Sequence, residues 1–87
     1  MSAMSSMDDV LAVAHLRAQL RNDICSGRAR QIREKAGLTQ SEVARAIDVS
    51  LAAIAKWETG KRTPTGNVAE RYAALLYRLG QVTQEAL

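Results

Sequence analysis

The side chains of this 87-residue chain best equipped for chemistry are its bases, and the chemistry they offer is anion binding. Eight stand between residues 28 and 62: Arg28, Arg30, Arg33, Lys35, Arg45, Lys56, Lys61 and Arg62. Only four acids, Glu34, Glu42, Asp48 and Glu58, share that segment. Residues 1–27 hold two bases against three acids, and residues 63–87 hold two of each. The net charge of +3 therefore originates in the middle of the chain. A cationic stripe of this kind is the footprint of a phosphate binder. On charge alone it reads equally well as a solvated helix face.

Bond-making chemistry has no comparable support. His15 stands alone, with no second histidine or carboxylate at metal-ligand spacing, and reads as a surface side chain. Cys25 is the single cysteine, so neither an intramolecular disulfide nor a cysteine-based metal cluster can form. No nucleophile–base pair, paired carboxylates or Gly-rich phosphate loop is found. No enzyme activity, metal or cofactor is expected. The N-terminal "MSAMSSMDDV" has two acids, no basic cluster and no long apolar run behind it. Neither a signal peptide nor a membrane span is therefore expected, and a cytoplasmic location is.

The elements that must position the bases read as helices throughout. Ala, Leu, Arg, Glu and Gln dominate, Pro occurs once and Phe is absent, and no stretch alternates long enough for a strand. Five runs carry helical spacing. The first, about 7–24, aligns Val13, Leu16, Leu20 and Ile24, with Ser5 or Ser6 as its N-cap. The second, about 28–36, aligns Ala29, Ile32 and Ala36 and stops at Gly37. Thr39-Gln40-Ser41-Glu42 has capping-box spacing and opens a third helix with Val43, Ala44 and Ile47 inward. Asp48-Val49-Ser50 breaks the chain, and Ser50 caps a fourth helix at about 51–59 with Ile54 and Trp57 inward. After Gly60 and a loop around Pro64, a last helix over about 66–79 buries Val68, Tyr72, Leu75 or Leu76, and Leu79 before Gly80 stops it. Tyr77 falls on the opposite side, exposed or at a subunit contact. The fold class expected is all-α, a compact five-helix domain over residues 1–87. Residues 7–25 form an extra N-terminal helix, 26–80 the core and 81–87 a tail, either one more helical turn or frayed.

The third and fourth helices carry the motif. Two helices joined by three residues cross steeply only where the side chain at the crossing is small, and Ala44 occupies that place. Val43, Ile47, Val49, Ile54 and Trp57 then hold the pair together. This is the pattern of a helix-turn-helix, whose second helix lies in the major groove of DNA.

With "IREKAGLTQSEVARAIDVS" followed by Ile54 and "WETGKRTP", residues 28–79 resemble the DNA-binding domain of phage repressor and Cro-type regulators, the XRE family. The resemblance implies that Gln40 anchors a backbone phosphate and that the start of the second motif helix reads bases. It also implies that Arg33 pairs with Glu58 as a structural link. One departure is Asp48, where the family usually has Gly in a left-handed turn. Asp tolerates that conformation better than most residues, so a small cost in stability is expected.

The expected base contacts are Leu51, Ala52, Ala55 and Lys56, of which only Lys56 can donate to guanine. Leu51 and Ala52 suit thymine methyl groups. The expected phosphate contacts are Gln40, Ser41, Arg45, Ser50, Lys61 and Arg62, aided by N–H groups at helix starts. Readout should thus be sparse and affinity mostly phosphate-derived. The expected partner is double-stranded DNA, bound by a transcriptional regulator of repressor or Cro type, phage or prophage in character. It binds either as a homodimer or, if the last helix folds back on its own domain, as a monomer with the N-terminal segment or Arg28 and Arg30 as a second DNA contact. Two readings compete. An antitoxin would use residues 7–24 to hold its toxin, and a protein-interaction module would dock through Leu51, Ala52 and Ala53.

Overall fold

The computed structural model describes residues 2–85, and the side chains of residues 6–83. Five helices and no strand are found among the described residues: α1 (Ser2–Cys25), α2 (Arg28–Lys35), α3 (Gln40–Ala46), α4 (Leu51–Glu58) and α5 (Gly66–Glu85). The all-α reading holds.

Two helix ends differ from the sequence expectation. α1 begins at Ser2, so Ser5 and Ser6 lie inside the helix and neither is its N-cap. Residues 2–12 contain no Gly or Pro, and their Ala, Met and Leu favour helix, so nothing forces a start at the serines. The side chain of Ser5 lies outside the described residues. α5 runs through Gly80 to Glu85, so Gly80 is not a stop and residues 81–85 are helix. Gly weakens a helix by about 1 kcal/mol against Ala but does not break it. Gly80 does not have the positive φ of a C-terminal cap, and the Thr83 hydroxyl donates to the carbonyls of Leu79 and Gly80 at 3.0 and 3.1 Å. Residues 86 and 87 of the expected tail lie outside the described residues.

The core forms where the five helices meet. Leu20 and Ile24 from α1, Ala29 from α2, Val43 and Ala44 from α3, Ile54 and Trp57 from α4, and Ala69, Tyr72 and Leu76 from α5 are buried together. The rings of Trp57 and Tyr72 sit 5.2 Å apart at 36°, a tilted aromatic contact between α4 and α5. Only the second half of the α1 stripe reaches this core. Val13 is half-buried, Leu16 is exposed, and Met7, Val10 and Leu11 are 61–71% exposed. Val68 and Leu79 are half-buried, and Tyr77 is exposed.

Three helix ends are closed by the same device, at the ends of α2, α3 and α4. At the end of α2, Gly37 takes φ +75°, its N–H reaches the Glu34 carbonyl at 3.0 Å, and Leu38 N–H reaches Arg33 at 3.2 Å. This Schellman pattern turns Leu38 back onto the core. At the end of α3, Asp48 takes the left-handed position with φ +59°. Its N–H donates to Arg45 at 3.3 Å, and Val49 N–H to Ala44 at 2.9 Å. The end of α4 repeats the pattern around Gly60, with Lys61 N–H on the Lys56 carbonyl at 3.0 Å.

Candidate nucleic-acid interface

The candidate interface comprises α3, the turn after it, and α4. Thr39 N–H donates to Glu42 Oε1 at 2.8 Å, and Glu42 N–H donates to Thr39 Oγ1 at 3.0 Å, so the capping box is complete. The Thr39 N–H first, and then the Thr39 hydroxyl, which donates to the same carboxylate oxygen at 3.2 Å, hold the Glu42 carboxyl below its usual range. At α4 the Ser50 hydroxyl oxygen accepts from Ala53 N–H at 3.1 Å. That leaves the hydroxyl proton of Ser50 free to donate outward.

α4 turns Ile54 and Trp57 into the core and its first turn outward. Leu51 is 49% exposed, Ala52 and Lys56 are exposed, and Ala55 is half-buried. Ala53 packs against the core edge, which removes it from any outward patch formed with Leu51 and Ala52. The residues around this surface are also outward. Ser41, Arg45, Ser50, Lys61 and Arg62 are all exposed. Among the described residues, neither Arg45, Lys61 nor Arg62 has a carboxylate within 4.0 Å. The turn at Gly60 places the last two: Lys61 and Arg62 N–H groups both point to the Lys56 carbonyl, at 3.0 and 3.4 Å.

Behind the surface lies a clamp. Arg33 Nε and Nη2 donate to the two oxygens of Glu58 at 2.6 and 2.9 Å. Arg33 Nη1 donates to the Leu38 carbonyl at 2.8 Å. The two side chains are 11% and 2% exposed, so the pair is enclosed. Burial pushes the Glu58 carboxyl up, but hydrogen bonds from Arg33 and Gln40, with the charge of Arg33, outweigh it and leave the carboxyl below its usual range. The Arg33 guanidinium is correspondingly raised, first by its hydrogen bond to Glu58.

Three linkages had no signal in the sequence. Gln40 Nε2 donates to Glu58 Oε1 at 2.9 Å, so the half-buried Gln40 joins the clamp as well as heading α3. Arg71 of α5 donates from Nε to the carbonyl of Ile47 at 3.1 Å, satisfying the last turn of α3. Arg17 of α1 pairs with Glu70 of α5 at 2.9 Å, across 53 residues of sequence. No local spacing rule connects partners so distant. Only a hypothesis of fold would have found them.

A short helix presented outward across a tight turn from a second, its far end tied down and its near end capped, is the architecture of DNA-binding helix-turn-helix proteins. Residues 30–76 match the helix-turn-helix family HTH_3. The match covers more than half of the chain, which belongs to this family of XRE-type DNA-binding transcription regulators. No curated protein and no solved structure matches it.

Proposed function

We propose that the chain is a repressor- or Cro-like regulator that lays α4 into the major groove as one half of a symmetric dimer. The observation that carries this reading is the outward first turn of α4 together with exposed Arg45 on α3 and exposed Lys61 and Arg62 just past the end of α4, none with a carboxylate within 4.0 Å among the described residues. Bound to DNA, Ser41, Arg45, Ser50, Lys61 and Arg62 contact phosphates. Gln40 gives one amide hydrogen to Glu58 and has a second for a phosphate. Leu51 and Ala52 press on thymine methyls, and Lys56 donates to guanine. Ala55, half-buried, contributes only at closest approach.

Such a regulator works in the bacterial cytoplasm, and a dimer matches half-sites about 10 base pairs apart. The exposed Met7, Val10 and Leu11 of α1 supply apolar surface for the second subunit. Selection of binding sites from a random duplex pool tests the readout. It should return a palindrome with thymines and one guanine per half-site, and Lys56→Ala should relax the guanine position. A pool that gains no sequence preference would remove the operator reading. The same α1 side chains favour one other reading, an antitoxin that offers them to a toxin. A chain that stays monomeric in sedimentation at micromolar concentration would favour it over the dimer.

A further inference from the structure

On another side of the molecule α1, α2 and α5 enclose a partly open cleft of about 620 Å³, within the roughly 300–1,000 Å³ range of small-molecule sites. Its floor is apolar, made by Leu16 and Leu20 of α1, Ile32 of α2 and Leu76 of α5. Gly80 also lines it. This glycine lies within α5, does not have a positive φ, and a Cβ placed on it would meet nothing within 4 Å. Neither a turn nor a close contact explains a helix-weakening residue there. What its missing side chain leaves is room in the cleft.

Charge selects the class of ligand. α2 presents Arg28, Gln31, Ile32 and Lys35 to the cleft, at helical spacing along one face. Asp23, buried in the wall, accepts from Gln19 at 3.3 Å. It also stands 3.8 Å from Arg28, so these two charges largely answer each other. Lys35 is exposed and, among the described residues, has no carboxylate within 4.0 Å. The uncompensated charge of the cleft is therefore positive and sits at its rim beside a hydrocarbon floor.

We infer that the cleft is a binding site for a small amphipathic carboxylic acid. The carboxylate pairs with Lys35 and the hydrocarbon body lies on Leu16, Leu20, Ile32 and Leu76. α2 gives a direct mechanical link to the DNA surface. It carries Ile32 and Lys35 toward the cleft, and also Arg33, which grips Glu58 of α4. An occupant thus touches the helix that fixes the recognition helix, and acts as an effector. The effector role rests on the DNA-binding reading; occupancy of the cleft does not.

Calorimetry without DNA tests occupancy, with octanoate as the probe and octylamine and octanol as comparators of equal length. Octanoate should saturate one site and bind about ten-fold tighter than either comparator, the worth of one charge-assisted contact. Lys35→Gln, a change at an exposed side chain, should remove that preference. Gly80→Leu puts a bulky side chain at the cleft while strengthening the helix, and should markedly weaken binding with the melting temperature unchanged or higher. Absence of saturable binding, octylamine binding as tightly as octanoate, or full affinity in Gly80→Leu would each overturn the site. Operator affinity is then measured with and without octanoate. A change that disappears in Gly80→Leu supports the effector role, and an unchanged affinity overturns it. Failure to bind any DNA would instead count against the regulator reading and leave the calorimetry standing.

Discussion

Glu58 is so enclosed that protein donors, not water, must answer its charge. Arg33 and Gln40 supply three hydrogen bonds between 2.6 and 2.9 Å. Removing one member of an enclosed pair strands the other, which typically costs about 3–5 kcal/mol. Glu58→Ala should therefore lose most of the stability of a domain this small, read from urea unfolding at pH 7. An unchanged unfolding midpoint would sink the clamp. The pH dependence has a definite sign. The Glu58 carboxyl is held below its usual range in the folded chain, so its stabilising contribution is complete above the unfolded value of about 4.3. It is lost as pH falls through the lower folded value. Wild type should thus lose stability more steeply below pH ~4 than Glu58→Gln, in which that titration is absent. Parallel acid limbs would show that the carboxyl is not held low. Asp48 carries the other residue-level cost, since φ +59° is awkward for any side chain. Asp48→Gly should raise stability by up to about 1 kcal/mol, while Asp48→Val should lower it by about 1–2 kcal/mol.

Among the elements, those whose boundaries rest on local chemistry were legible in the sequence and the others were not. The capping box at Thr39 and Glu42, the cap at Ser50 and the closures at Gly37 and Gly60 each involve residues three to five apart. A local rule therefore finds them. Gly80 has the same residue type without the same backbone, because no left-handed turn follows it, and the sequence alone could not separate the two cases. The α1 stripe misled for a similar reason. Val13 and Leu16 carry the period of a core face, but Val13 is only half-buried and Leu16 stays exposed, because no side chain of another helix closes over them. For α5 the consequence is testable. Gly80→Ala should stabilise by about 0.5–1 kcal/mol, because Gly loses more backbone entropy in a helix interior. For a domain this size that corresponds to a rise of several degrees in melting temperature, about 4–8 °C per kcal/mol. A fall would mean that the helix needs glycine at this point. In α4, the apolar first turn was plain from Leu51 and Ala52, whereas the withdrawal of Ala53 and Ala55 required the packing against the core.

At the scale of the whole molecule, the positive excess and the motif share one stretch of chain, and the fold turns that overlap into a surface. Arg45 on α3, Lys56 on α4, and Lys61 and Arg62 just past its end are exposed, while Arg33 is consumed by Glu58. Sequence alone could count these charges but not tell the structural one from the exposed ones without a fold in mind. With few donors on α4 for bases, most affinity should come from phosphates and should be sensitive to salt. Association with duplex DNA, followed by fluorescence anisotropy between about 50 and 200 mM salt, tests this most directly. The logarithm of affinity should fall linearly with that of salt, by about 0.9 for each phosphate neutralised. The double variant Lys61→Ala/Arg62→Ala should bind more weakly at every salt concentration, with a slope shallower by about 2. A flat salt dependence, or a slope that the double variant leaves unchanged, would contradict the account.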